Sequence, residues 1–482
     1  MVMSWFCSAV LLILSALCLC SAENPGVKVK LTKMIMDKGA AYAKQNLISQ
    51  LKDKPLPDVN GTITMGEENM NYAFLNIRLV DFNYTSLSSS FVPGTGIKLV
   101  IKGGTTTLTS DFELYGWLLT DNGFCMLNLT EICITVIIGV QRDKSNKPSI
   151  HTVSCEADIL GVNLTMIGGV SYIYDAIRKP MIKMIRNDLN QQVCSMLRGQ
   201  IQQWDQTLND LKLNILLDNS IGVDLSLVND PVFTEQNAEI DSECMFYSPV
   251  NETKVALTPA AMSFDAQKGS MLTVGLSEAS FNSASQVYHS GGGFIFRLFD
   301  AHSKSNSKAA ALLAGLCQPF GKTKKQLVLL SASKAPTFLL QTNNVTVGFS
   351  GIINAHALLP RAQRETLFTA RTDICFSAQV SILDSNFLPG LNLTGSISLN
   401  SFNLHVEQEQ SEAKKREAEI KAIFMEEILR MLNDNLQTGL YIPFRFFKIT
   451  TSTIKKGFMM VNANMNFECL ENVLSSGNPS KS

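Results

Sequence analysis

The chain has 482 residues, 45% of them apolar and only 17% charged, with a formal net charge of −1. No general excess of cations marks it for nucleic acid or for an acidic membrane surface. The length exceeds one ordinary hydrophobic core, and a charge content below the usual quarter leaves more apolar surface to be covered or used.

Residues 1–22 read as an export signal. Val10 to Leu14 form a short apolar core, and Ser21-Ala22 make a small-residue end before Glu23. No second apolar run reaches the ~20 residues that a membrane-spanning helix needs. Once Cys7, Cys18 and Cys20 leave with the signal, eight cysteines remain: Cys125, Cys133, Cys155, Cys194, Cys244, Cys317, Cys375 and Cys469. An even number in an exported chain permits disulfides, although their pairing stays open. Seven Asn-x-Thr sequons fit the same compartment, at Asn60, Asn83, Asn128, Asn163, Asn251, Asn344 and Asn392.

After Pro25-Gly26, the alternation of Val27 to Leu31 predicts an edge strand. Thr32 then caps a helix that carries Ile35, Ala41, Tyr42, Ile48 and Leu51 on one side and stops at Pro55 and Pro57. From Asn60 to Met166 the chain reads as strands separated by turn residues, among them Phe124–Val140 and an extended stretch from Ser149 onward. Ile173, Ile177, Met181, Met184, Ile185, Leu189, Val193 and Leu197 follow at steps of mostly three and four, which predicts an amphipathic helix. Pro180 lies inside it, so a kink or break is expected there. A bond between Cys155 and Cys194 would pin the end of this helix to the sheet. A loop of that length loses roughly 4 kcal/mol of unfolded-state entropy on closure. A greasy helix over a sheet makes a slot lined by aliphatic and Met side chains, suited to an oily ligand.

The segment 246–268 reads as a crossing between domains, which divides the chain into 1–22, 23–245, 246–268 and 269–482. The second half repeats the order of the first. It has a strand at Met271–Leu276, small helices at Phe281–Tyr288 and Lys308–Leu316, strands from Gln326 to Val406, and a closing helix with Ile420, Ile423, Phe424, Ile428, Met431 and Leu432. Its charged first turns, from Glu407 to Glu419, read as a solvated face with salt pairs. Two halves of similar order suggest a duplicated α+β architecture.

Several blocks of the chain resemble the family of bactericidal/permeability-increasing protein and lipopolysaccharide-binding protein, with its plasma lipid-transfer relatives. They are Asn24-Pro25-Gly26-Val27, Gly39-x-x-Tyr42-Ala43, Lys147 to Ile150 with Cys155, Asn187 to Cys194, and Gly275 to Ala284 with Val287-Tyr288. The resemblance implies a boomerang of two pseudo-repeated antiparallel-barrel domains, each with long amphipathic helices, joined by a central sheet. It implies a Cys155–Cys194 disulfide and apolar pockets for acyl chains, with phospholipid and bacterial lipopolysaccharide or the outer-membrane surface as partners. On that reading Ile35, Tyr42, Ile48, Ile173, Ile177, Met181, Met184, Ile185, Phe424 and Ile428 contact lipid. The charge pattern departs from the bactericidal members: residues 23–240 hold 19 Lys+Arg against 23 Asp+Glu, about −4. Local basic clusters remain at Lys28, Lys30, Lys33 and Lys38 and at Arg178, Lys179, Lys183 and Arg186.

Catalytic motifs are not expected. Gly321-Lys322-Thr323 lacks the upstream Gly of a phosphate loop, since that position is Leu316. No Gly-x-Ser-x-Gly elbow and no His-x-x-x-His pair occurs, so no enzyme, metal site or cofactor is read from the chain.

Overall fold

A computed structural model describes residues 23–41, 56–65, 67–116, 120–168, 171–217, 219–250, 253–264, 269–300, 307–316, 325–358, 364–384, 391–408, 411–442 and 447–465. Residues 1–22, read as an export signal, and Tyr42, Ile48, Asn251, Gly321-Lys322-Thr323, Cys317 and Cys469 lie outside them. The described chain forms an α+β protein of long antiparallel sheets and few helices. It divides into two compact units, one of Leu31–Leu211 with Pro231–Glu239 and one made of the rest.

The unit of Leu31–Leu211 is built on one sheet. After β1 (Val27–Thr32), its strands are β2 (Val59–Met65), β3 (Glu68–Asn83), β4 (Ser86–Val92), β5 (Gly96–Gly116), β6 (Thr120–Arg142) and β7 (Pro148–Ile167). They pair antiparallel in the order β2-β3-β5-β6-β7, with β4 added to β5. Alternation fixes which face is buried. Met70, Tyr72 and Phe74 of β3 and Cys125, Leu127 and Leu129 of β6 all point inward. At Glu131, with φ of 53°, β6 shifts phase, and the inward positions become Ile132, Val136 and Ile138. A residue in the left-handed region flips the pleat there and lets one long strand keep facing a curved interior. β4 was not legible in the sequence because Ser86 to Ser90 carry little β-branched or aromatic signal.

The helix that covers this sheet runs unbroken from Ser171 to Asn209. Neither the expected break at Pro180 nor an end near Leu197 is found. A proline inside a helix costs ~3 kcal/mol. Met181, Ile185, Leu189 and Ile201 are all buried beyond it, each stabilising by about 1.5–3 kcal/mol, so tertiary packing outweighs the missing bond. The first predicted helix is helical over residues 33–41.

In the other unit, β1 lies within a sheet rather than at an edge: it sits beside Leu272–Ser277, and Lys28 pairs with Asp241 at 3.1 Å. Two short strands, Met245–Ser248 and Thr253–Lys254, pair within the stretch read as a crossing. Ile295–Asp300, not foreseen as a strand, pairs with Lys325–Ala332. The strands Lys325–Ala332, Asn344–Leu358, Arg364–Asp384 and Leu391–Val406 then pair in succession. The closing helix, Glu417–Thr438, lays Ile420, Phe424 and Ile428 on Ile353, Ala355, Phe368 and Phe402. Salt pairs Lys415–Glu412 and Arg416–Glu419 line the charged turns that precede and open it.

Candidate functional site

The apolar contact between the Ser171–Asn209 helix and the inner face of the β2–β7 sheet is the candidate site. Met181, Ile185 and Leu189 stand one turn apart on one stripe, and all three are buried among Ile63, Tyr72, Phe112, Leu114, Ile159 and Leu164. Met184 and Ile182 are half-buried and pack at the margin of this cluster. A second patch follows along the helix, where Ile201 meets Val136 and Ile138.

Polar groups hold the helix at fixed points along its length. The Tyr72 hydroxyl of β3 donates to the Asp188 carboxylate at 2.8 Å. Burial first, and then the bonded Asp188 carboxylate, hold the Tyr72 phenol above its ordinary value. Arg186 donates through Nη2 to the Leu160 carbonyl of β7 at 2.6 Å, while its buried Nε has no partner. Cys194 is bonded to Cys155 of β7, with the Cα atoms 5.7 Å apart. Farther on, Asp205 accepts from the Ile150 amide at 2.7 Å and the Ser149 hydroxyl at 2.9 Å, and the Lys147 ammonium donates to the Asn209 carbonyl. These tethers sit from Arg186 onward, so the half of the helix after Leu189 is stapled to β7.

The structure thus brings together Met181, Met184 and Ile185. Ile173 and Ile177 lie on the same helix, and their side chains are outside the described residues. Ile35 is half-buried in the 33–41 stretch. Phe424 and Ile428 belong to the core of the other unit, under its closing helix. Sequence reading missed the pair Tyr72–Asp188, because a tyrosine and a carboxylate 116 residues apart carry no local signal. Of the two basic clusters, Lys28 is taken up by Asp241 and Arg186 by Leu160, and Lys179 and Lys183 are exposed beside the buried stripe.

Among the described residues, four cysteines are free: Cys125, Cys133, Cys244 and Cys375. Cys125 and Cys133 share strand β6, where eight residues span about 26 Å, far beyond the ~7 Å that a disulfide tolerates between Cα atoms. Burial pushes the Cys125 thiol up to about 12 and the Cys244 thiol up to about 11. Cys375 lines a cavity of about 210 Å³ on the outer side of the other unit's sheet, with Lys334, Thr337, Ser350 and Asp373. Among the described residues, no three His, Cys, Asp or Glu side chains stand together in a way that could hold a metal ion. Nor, among them, is any helix long and apolar enough to cross a membrane.

Comparison with known proteins gives a consistent match across the chain. Residues 36–211 match the LBP / BPI / CETP family, N-terminal domain, and residues 215–467 match the LBP / BPI / CETP family, C-terminal domain. The chain is 26% identical to the human BPI fold-containing family C protein over 459 residues, which covers 92% of this chain and 89% of that protein. It is 24% identical to the bactericidal permeability-increasing protein of Sebastes schlegelii, covering 92% and 96%. It is 23% identical to the human phospholipid transfer protein, covering 95% and 94%. Among solved structures, the crystal structure of lipopolysaccharide binding protein shares the fold with a TM-score of 0.54, at 18% identity, over 92% of this chain and 99% of that one.

Proposed function

Because the chain belongs to the LBP / BPI / CETP family, we propose that it is a secreted lipid-binding protein of innate immunity. It takes the acyl chains of phospholipid or lipopolysaccharide into the apolar interior under the Ser171–Asn209 helix. The observation that carries this reading is the buried stripe Met181, Ile185, Leu189 with exposed cations beside it. Each acyl methylene withdrawn from water stabilises the complex by about 0.8 kcal/mol, so two chains hold without a polar anchor. Met181 and Met184 have flexible side chains that re-pack around an irregular guest. Lys179 and Lys183 then meet the head-group phosphates.

The helix is tethered from Arg186 onward by the Leu160 carbonyl, the Tyr72 hydroxyl and the disulfide. Phe424 and Ile428 would serve a second apolar interior of the same kind under the closing helix.

The test is lipid extraction and mass spectrometry on the protein collected from the medium, followed by competition with lipopolysaccharide. Phospholipid that lipopolysaccharide displaces supports the reading. A protein that carries no lipid and takes up none from vesicles overturns it.

One observation favours a second reading, transfer of phospholipid or neutral lipid between particles. Residues 23–240 carry 19 cations against 23 anions, which suits a carrier that must leave an anionic surface again. Bound lipid indifferent to lipopolysaccharide, together with donor-to-acceptor vesicle transfer, selects this alternative.

A further inference from the structure

Four sequons fall on the β2–β7 sheet, and the strand register sets two of them face to face. Asn128 of β6 is the direct antiparallel partner of Asn163 of β7. Both project from the outer face, because Leu127, Leu129 and Leu164 beside them are buried in the core. Asn163 is exposed on β7, the last strand of the sheet. Asn128 is half-buried, and its side-chain oxygen accepts from the Thr107 hydroxyl at 3.1 Å. The surface beside them is tight. The partner of Thr130 is Gly161, where even a Cβ would stand 2.0 Å from the Thr130 hydroxyl oxygen.

Directly opposed side chains in an antiparallel pair have Cβ atoms about 4.5–5.5 Å apart and leave the sheet roughly perpendicular to it. A sugar ring with its N-acetyl group is wider than that gap. Two such groups rooted at Asn128 and Asn163 would collide at their first residues, and relief would require breaking the β6–β7 ladder.

We propose that Asn128 and Asn163 are mutually exclusive acceptors of an N-linked glycan, with Asn163 the one occupied in the folded, exported protein. In the transfer, Nδ2 bonds to the anomeric carbon of the sugar, and the bond from that carbon to a lipid pyrophosphate breaks. The lipid pyrophosphate and one amide proton leave. Transfer acts on the nascent chain, where both sequons are accessible. The folded sheet then accepts chains with one glycan at this pair and rejects those with two. The outer face of the sheet, which also presents the sequons at Asn60 and Asn83, becomes the sugar-covered side, opposite the lipid-facing interior.

The inference rests on export of the chain, so the experiment separates the two. The full chain is expressed in a glycosylating secretory host with its own residues 1–22, and in parallel with those residues exchanged for an established export signal. Retention of the first chain alone removes the export reading, while the pair is still scored on the second. Secreted protein is treated with N-glycosidase in heavy-oxygen water, which marks each formerly glycosylated Asn, and intact masses count glycans per molecule. The expected result is a mark at Asn163 and none at Asn128 on the same molecule. In Asn163→Gln or Thr165→Ala the mark moves to Asn128, so that the loss of one glycan is matched by the gain of another. Asn128→Gln leaves Asn163 marked. Molecules with glycans on both residues, or secreted protein with neither marked, overturn the proposal.

Discussion

The Tyr72 hydroxyl of β3 reaches the Asp188 carboxylate of the covering helix at 2.8 Å and ties the sheet to the helix in the middle of the apolar stripe. Removing it by Tyr72→Phe leaves a half-buried carboxylate short of a partner. A loss of about 1–3 kcal/mol is expected in urea denaturation. The pH dependence has a defined sign. The folded phenol titrates above its ordinary value of 10.0, so its stabilisation is complete below about pH 10 and is lost as pH rises through the raised folded value. Tyr72→Phe should therefore remove part of the alkaline destabilisation of the parent; an unchanged alkaline profile would sink the assignment.

The Cys155–Cys194 disulfide closes a 39-residue separation and anchors the helix between its Asp188 and Asp205 tethers. Cys155→Ser with Cys194→Ser should lower stability by roughly 4 kcal/mol in the loop-closure estimate. Thermal unfolding of the oxidised, reduced and double-mutant proteins checks this. Reduced and double-mutant proteins should agree with each other and differ from the oxidised one.

The thiols should divide by accessibility. Cys125 and Cys244 are buried, with thiols pushed up to about 12 and about 11, so neither supplies thiolate near neutral pH. Cys133 and Cys375 are half-exposed. Alkylation of the native protein, read by peptide mass spectrometry, should label Cys133 and Cys375 and spare the other two. Rapid labelling of Cys125 in the native protein would mean that the helix–sheet interior opens freely.

Ile185 is 2% exposed and sits in the core. An Ile185→Asp substitution would bury an unpaired carboxylate and unfold the unit. Ile185→Ala should cost about 2–5 kcal/mol, measured by chemical denaturation. The informative change for lipid is on the surface. Lys179→Gln with Lys183→Gln should leave unfolding unchanged and weaken binding to vesicles of anionic phospholipid roughly ten-fold at low salt, an effect that fades as salt rises. Equal binding by parent and variant would remove these lysines from the head-group role.

At the acidic end, Glu417 should contribute. It accepts from the Val406 amide at 2.8 Å and from Lys414 at 2.9 Å, and these bonds hold its carboxyl below the ordinary 4.5. A depressed value stabilises the fold above about pH 4.5, and the benefit is lost as pH falls through the folded value. Glu417→Gln should flatten the fall in melting temperature on acidification, as followed by circular dichroism.

The sequence by itself determined what local chemistry can encode. Strand-forming residues bounded by turn residues marked β3, β6 and β7, and steps of three and four placed Met181, Ile185 and Leu189 on one stripe, because both signals are local to the chain. The staple between Cys155 and Cys194 was legible from their places at the sheet and the helix, and from the blocks around them. Only the tertiary structure decided the rest, since it depends on residues far apart in the chain. Burial of four apolar side chains carried the helix through Pro180, against its local preference. The extension of one strand kept Cys125 from Cys133, and register, which one shifted residue would reverse, set Asn128 opposite Asn163. Tyr72 found Asp188 only when the sheet curved beneath the helix, an encounter for which no spacing in the sequence provides.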